Sequence, residues 1–259
     1  TQNTNKLVGG VTETCTEVAA AFYRETIIKV IKCSSPAIAE MAKVFENTYR
    51  AVNIALVNEM ALLCDRMGIS VWEMLDAAFT KPFGIQPFYP GPGVGGHCIP
   101  VDPFYLAWKA REYDFSTRFI ELAGEVNLSM PYFVVQKAER ILGLQGKSLR
   151  GSKILVLGVA YKANLPDLRE SPALRVIQLL LKEGAEISYH DPLVSQISVP
   201  IVYRDSRNVH DKRTARLVSQ PLAEEALERA DIVLITTDHS CIDYEMVTNN
   251  ARFVLDCRY

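Results

Sequence analysis

Apolar and polar positions along this chain follow three successive rhythms, and each predicts a different piece of architecture. Residues 13–25 carry helical spacing, and the short apolar run 27–31 reads as a strand. Ahead of them, Lys6-Leu7-Val8-Gly9-Gly10 has the character of a strand already under way, so residues 1–33 read as the tail of an α/β unit. The second rhythm opens at Ser34-Ser35-Pro36, where serine can cap a helix and proline suits its first position. No glycine or proline follows until Gly68, which predicts a helix about 50 Å long over residues 35–67. A helix of that length, rich in Ala, Leu, Val and Met, implies packing against a twin or a bridge between two domains. Helical spacing returns near residues 104–113 and 118–140.

The third rhythm begins at Gly151-Ser152. Lys153-Ile154-Leu155-Val156-Leu157-Gly158-Val159-Ala160 is a continuous apolar run, as expected of a strand buried on both faces. Ser171-Pro172 then opens a helix to Glu183, closed by Gly184. A strand over 186–190, a turn at Asp191-Pro192, a helix near 221–229 and strands over 231–236 and 253–256 complete the alternation. The fold class is therefore α/β: an all-helical central domain (34–145) with a long helix, then a doubly wound, Rossmann-like parallel sheet (146–259). Residues 204–220, charged and turn-rich, read as a surface excursion.

Composition narrows the setting. The chain has 259 residues, enough for two domains with a real core, and a net charge of -2 gives no electrostatic reason to expect nucleic acid or an anionic membrane. No apolar run reaches the roughly 18 residues of a membrane span. The six cysteines (Cys15, Cys33, Cys64, Cys98, Cys241, Cys257) form no C-x-x-C pair, and no histidine stands at metal-ligand spacing. That pattern points to reduced thiols in a cytoplasmic protein, without a disulfide framework or metal site.

Chemistry concentrates in Phe88-Tyr89-Pro90-Gly91-Pro92-Gly93-Val94-Gly95-Gly96-His97-Cys98-Ile99-Pro100-Val101-Asp102. Glycine permits close approach of backbone to a ligand and proline stiffens the loop. A helix is expected to open just after Cys98, and a thiol at a helix N-terminus is more easily ionised. The loop alone fits a nucleophile beside a bound anion and a structural cysteine equally well. Lys43 and Asn47 share a helix face by their i,i+4 spacing, which on geometry alone reads as a solvated stripe, while Asn53 and Asn58 interrupt an apolar stretch. In the sheet domain, ligands bind at the carboxyl ends of strands, where Lys162, Asp167, Arg169, Thr237, Asp238, His239 and Arg258 fall. The loop after the first strand is not Gly-x-Gly-x-x-Gly, so a full dinucleotide fingerprint is absent.

Three motifs together resemble the UDP-glucose/GDP-mannose dehydrogenase family. They are the Pro-Gly-Pro-Gly-Val-Gly-Gly-His-Cys-Ile-Pro-Val-Asp loop, Lys43-Val44-Phe45-Glu46-Asn47-Thr48, and Gly158-Val159-Ala160-Tyr161-Lys162 followed by Asp167-Leu168-Arg169-Glu170-Ser171-Pro172. Ala78-Phe79-Thr80-Lys81-Pro82-Phe83-Gly84 and Trp108-Lys109-Ala110-Arg111-Glu112-Tyr113 look like the branch acting on UDP-N-acetylhexosamines. The resemblance implies two NAD-dependent oxidations of the C6 alcohol of a UDP-sugar to a uronic acid, through a cysteine thiohemiacetal and thioester. UDP-GlcNAc ranks first as substrate, ahead of UDP-GalNAc and UDP-ManNAc, then UDP-glucose.

Carried over by residue, Cys98 would be the nucleophile, Lys43 would stabilise the oxyanion, Asn47 would hold an oxygen or the water, and Asp102 would assist hydrolysis. Phe88, Tyr89, Gly93, Gly95 and Gly96 would line the sugar and phosphates. Tyr161, Lys162 and Arg258 would hold the UDP, and Arg169 would reach the NAD phosphates. The long helix would form a homodimer or higher assembly. Val101 stands where some members carry a lysine near NAD. An amino-terminal NAD-binding domain is expected upstream, making these residues the carboxyl-terminal two thirds of an enzyme. The competing readings are a non-catalytic UDP-sugar-binding or dimerisation fragment and, less well supported, a cysteine-dependent acyl transferase or hydrolase, whose histidine base could only be His97.

Overall fold

A computed structural model describes residues 3–204 and 210–258. Strand β1 (Lys6–Val8), helix α1 (Glu13–Arg24) and strand β2 (Val30–Lys32) form a small parallel α/β unit. The second strand starts three residues later than its apolar run predicts, because the N–H of Ile27 still bonds to the Tyr23 carbonyl at 2.9 Å and prolongs the helical turn. Helix α2 (Pro36–Met67) runs 32 residues unbroken. The Ser35 hydroxyl accepts from the Ile38 N–H at 3.3 Å, and Gly68 ends the helix in the left-handed region at φ 69°.

After α2 come α3 (Val71–Phe79), the glycine-rich loop, α4 (Asp102–Ala110) with a 3₁₀ turn over Arg111–Tyr113, and α5 (Arg118–Leu144). Helix α5 lies along α2, and both carry buried asparagines at their contact. Pro131 inside α5 has no N–H to give the Asn127 carbonyl, and that carbonyl faces Gly93 in the loop instead.

The sheet region contains β3 (Lys153–Leu157), α6 (Pro172–Glu183), β4 (Glu186–His190), the hairpin β5 (Gln196–Arg204) and β6 (His210–Val218), α7 (Glu224–Arg229), β7 (Ile232–Ile235), α8 (Tyr244–Asn250) and β8 (Val254–Asp256). The parallel order is β4-β3-β7-β8. One face packs Val176, Ile177 and Leu180 of α6 and Ala138 and Leu142 of α5; the other packs Leu227 of α7 and Val247 of α8. Helices therefore cover both faces, the doubly wound arrangement that the apolar strands predict. Chain order reverses across β3, so the crevice between the carboxyl ends of β3 and β7 is the switch point where such sheets take ligands.

The stretch read as a charged excursion holds the second strand of the hairpin, and the first strand lies just ahead of it. Ile197, Val199 and Ile201 of β5 are buried, and along β6 half-buried Ala215 and Leu217 alternate with exposed Thr214, Arg216 and Val218. Its charges hide a period-two pattern that is a strand signal; residues 205–209 of that stretch lie outside the described residues. Among the described residues, no helix is long and apolar enough to cross a membrane.

Candidate active site

The glycine-rich loop is anchored from below by a buried relay. The Asn58 Oδ1 accepts from the Gly91 N–H at 3.0 Å, Asn58 Nδ2 donates to Asn127 Oδ1 at 2.9 Å, and Asn127 Nδ2 donates to the Ala51 carbonyl at 3.0 Å. Asn58 is thus the polar interruption of α2 with a job: it ties both long helices to the loop. Buried amides are tolerated only when their partners are this complete. The loop is anchored from above by the turn after β3. A Cβ on Gly95 would lie 2.6 Å from the Tyr161 Cβ, and Gly96, at φ 90°, donates its N–H to the Arg169 carbonyl at 3.0 Å. Only glycine permits that approach.

Cys98 is exposed and lies one turn ahead of α4. The helix opens just after Cys98, as its residues predict. The helix begins at Asp102, and the N–H groups of Val101 and Asp102 bond to the Cys98 carbonyl at 3.1 and 2.8 Å. Asp102 is brought to α2: its Oδ2 accepts from Asn47 Nδ2 at 2.6 Å. Arg50, which sequence reasoning passed over, donates from Nη1 to Asn47 Oδ1 at 3.2 Å and pairs through Nη2 with Glu46. Lys43 enters the group through Glu46, at 3.2 Å. Burial opposes the charge of Glu46, but Lys43 and Arg50 override it and hold the carboxyl below its ordinary range. Asn47 and Asp102 therefore meet directly, with the Asp102 backbone bonded to the Cys98 carbonyl, and Lys43 joins them only through Glu46 and Arg50.

On the sheet side, Tyr89, Pro90, Asp238 and Arg258 line a cavity of about 330 Å³. The Tyr89 ring stacks on Trp72 at 6.2 Å, meets Phe79 edge-on at 5.4 Å, and its hydroxyl donates to Asp76 at 2.8 Å. All three partners belong to α3, a helix absent from the sequence reading although Ser70-Val71-Trp72-Glu73 is a capping-box signal. Arg258 Nε donates to Asp238 Oδ1 at 3.0 Å, with Nη1 beside Gly91. Phe88 lies edge-on to Tyr49 of α2 at 6.0 Å, and the Cα of Gly93 faces Pro172 and Pro131. Lys162 is exposed. Arg169 grips Asp167 through Nε and Nη2, at 2.9 and 2.6 Å, and those bonds depress the Asp167 pKa to about 2. Ser171, expected to cap α6, instead donates its hydroxyl to the Val159 carbonyl at 2.7 Å and fastens the turn after β3.

Two family models account for most of this architecture. The central domain of the UDP-glucose/GDP-mannose dehydrogenase family matches residues 37–129, and the UDP binding domain of the same family matches residues 155–259. The chain belongs to the UDP-glucose/GDP-mannose dehydrogenase family. A UDP-N-acetyl-D-mannosamine dehydrogenase of Methanocaldococcus jannaschii is 37% identical over 91% of this chain and 48% of that protein. An NDP-N-acetyl-D-galactosaminuronic acid dehydrogenase of Ralstonia nicotianae is 33% identical over 91% of this chain and 51% of that protein. Among solved structures, a UDP-D-ManNAc dehydrogenase from Pyrococcus horikoshii superposes with a TM-score of 0.81 at 31% identity, covering 99% of this chain and 56% of that one. The chain spans about half the length of the curated relatives it matches, less than the two thirds expected from its motifs.

Proposed function

We propose that these residues are the catalytic and nucleotide-sugar-binding parts of an NAD-dependent 6-dehydrogenase acting on a UDP-N-acetylhexosamine. The observation that carries the reading is the 2.6 Å bond between Asn47 and Asp102, two motif residues 55 positions apart that meet beside the Cys98 backbone. A binding module has no use for an exposed cysteine whose carbonyl is bonded by the N–H of Asp102. NAD supplies the hydride acceptor for both oxidations. Arg169 is the cation the motif assigns to its phosphates; it sits at the edge of the glycine loop, where its carbonyl accepts from the Gly96 N–H, and its guanidinium would exchange Asp167 for the phosphates.

In this reading the C6 alcohol first gives up a hydride and a proton to become an aldehyde. The Cys98 thiolate adds to that carbon, forming a C–S bond and an alkoxide that takes up a proton. Loss of a second hydride and that proton leaves a thioester. Water, oriented by Asn47 and Asp102, adds to the carbonyl carbon, and cleavage of the C–S bond releases the carboxylate and the thiol, with one proton passing to solvent. Lys43 offsets negative charge on the C6 oxygen, a role in which a fixed cation favours the transition state over the ground state. Tyr89, Tyr161, Lys162 and Arg258 hold the nucleotide, with Phe88, Gly93, Gly95 and Gly96 along the sugar and phosphates. The long helix pairs with a second copy of the chain.

The N-acetylhexosamine is supported by the relatives, whose names carry N-acetylmannosamine and N-acetylgalactosaminuronic acid. The motifs do not decide the configuration at C2 or C4; UDP-GlcNAc ranks first only by resemblance, whereas these relatives' names carry the manno and galacto sugars. NADH formation by the full-length protein against UDP-GlcNAc, UDP-ManNAc, UDP-GalNAc and UDP-glucose separates these substrates. Cys98→Ser is expected to cut uronate formation by about 10³-fold or more while UDP-sugar binding stays. Uronate formed at the wild-type rate by that variant removes Cys98 from the chemistry.

A further inference from the structure

The carboxyl ends of β3, β4 and β7 enclose an ionisable pair that the proposed mechanism does not use. His239, after β7, has no exposed surface, and Asp191, after β4, is 3% exposed. The backbone N–H of Asn164 points at His239 Nδ1 from 3.0 Å. A backbone N–H can only donate, so Nδ1 is an acceptor and the ring proton resides on Nε2. Nε2 then donates to Asp191 Oδ2 at 3.1 Å. The same oxygen accepts from the Val159 N–H at 2.7 Å, and Oδ1 accepts from the N–H groups of Leu193 and Val194 at 2.9 and 3.0 Å. Both ring nitrogens and both carboxylate oxygens are committed.

Val159 and Asn164 are the two ends of one turn, and Tyr161 and Lys162 lie between them. A single buried imidazole–carboxylate pair thus grips both feet of the turn. The grip is reinforced at the rim. Thr237 Oγ1 donates to the Ala160 carbonyl at 2.6 Å, and Asn164, left-handed at φ 62°, accepts from the N–H and hydroxyl of Ser240 at 3.1 Å each. Above the turn, the Tyr161 ring rests against Gly96, two residues before Cys98.

We propose that His239 and Asp191 are positioning residues for the UDP-sugar: neutral His239, fixed with its proton on Nε2, sets the turn that presents Tyr161 and Lys162 to the nucleotide. This rests on the function proposed above. The pair is sealed from solvent and reaches the nucleotide only by way of the turn, so its signature is affinity for the nucleotide-sugar, not the rate of the chemical step. Histidine supplies an acceptor and a donor on opposite sides of a ring. Glutamine can offer the same two functions, whereas leucine offers neither and strands the Asn164 N–H.

The test is steady-state kinetics of the full-length enzyme with calorimetric UDP binding. His239→Leu is expected to raise the KM for UDP-sugar and the Kd for UDP by about tenfold or more, with kcat and the KM for NAD held within about threefold. His239→Gln recovers most of the affinity. A purely structural role gives the opposite split, since an unfolded fraction lowers kcat and leaves KM alone. Should His239→Leu fail to fold, Asn164→Gly keeps the left-handed backbone and the bond to His239 while losing the two Ser240 bonds. It is expected to raise the same KM about threefold. An unchanged KM and Kd in a folded His239→Leu, or in Asn164→Gly where His239→Leu does not fold, overturns the proposal and leaves the proposed function standing. Wild-type protein that binds no UDP overturns both.

Discussion

The helical and sheet regions of this molecule treat their apolar surface in opposite ways. In the sheet, Ile232, Val233 and Leu234 are sealed from both sides by helices, with no exposed surface at any of the three. Along α2, by contrast, Ile38, Met41, Phe45, Tyr49, Leu56 and Leu63 recur at helical spacing on one face and stay exposed, Phe45 at 65%. Both regions bury polar groups with equal care, as the Asn58–Asn127 relay and the His239–Asp191 pair show. The difference teaches that the sheet is a finished core, while the helix stripe is left open within one chain and is the surface on which the proposed pairing with a second copy rests.

The sharpest way to break that contrast is to injure each surface in turn. Leu234→Ala removes a side chain from a sealed core and is expected to cost about 2–5 kcal/mol, read from denaturant unfolding. Phe45→Glu is expected to leave the stability of the isolated chain within about 0.5 kcal/mol, yet to convert a sedimenting dimer to monomer. Equal destabilisation by the two, with assembly unaffected by Phe45→Glu, would mean that the stripe is already covered within one chain. The buried relay comes next in size. Asn58→Ala strands the Gly91 N–H and the Asn127 Oδ1, for about 1–3 kcal/mol of stability, and loosens the loop segment beside Arg258. A loss of stability with UDP affinity unchanged would confine Asn58 to the helices and detach it from the site.

These effects also mark what could be read from residues alone. The long helix was legible because its signals are local: a serine cap, a proline at the first turn, 32 residues without a break, and Gly68. The apolar strands were legible for the same reason. The hairpin was not, because charges on the outward positions of β6 masked its alternation, and α3 was lost behind the loop despite its capping box. At the site, Lys43, Asn47, Cys98 and Asp102 stand out by motif, yet Lys43 is linked to Asn47 only through Glu46 and Arg50, whose parts emerge only when Asn47 meets Asp102. Asn58 was visible as an oddity in an apolar stretch, but its partners lie 33 and 69 positions away. His239 could be placed at a strand end but not assigned, since its role depends on which nitrogen faces Asn164. Long-range polar pairing is the physical content that a local pattern does not carry.

The smallest expected effect lies at the exposed rim of the site, where neither region encloses anything. Asp167 is held at about 2, against an ordinary carboxylate value of 3.8, first by the side-chain bonds from Arg169 and then by its backbone N–H. A depressed folded-state value means that the ionised carboxylate favours the folded turn at all pH above about 4, and that this contribution fades as pH falls through about 2. The pair is open to solvent, so salt should weaken it and global stability should barely register it. Amide exchange of residues 161–170 is the suitable readout: protection is expected to hold down to about pH 4, decline toward pH 2, and decline earlier in high salt. Asp167→Asn should show reduced protection that no longer varies over that window. If Asp167→Asn declines between pH 4 and 2 just as wild type does, the titration belongs to enclosed carboxylates such as Asp65 and Asp231. Basic partners hold both of these low despite burial, and the rim would then owe its order to the bond from Gly96 to the Arg169 carbonyl alone.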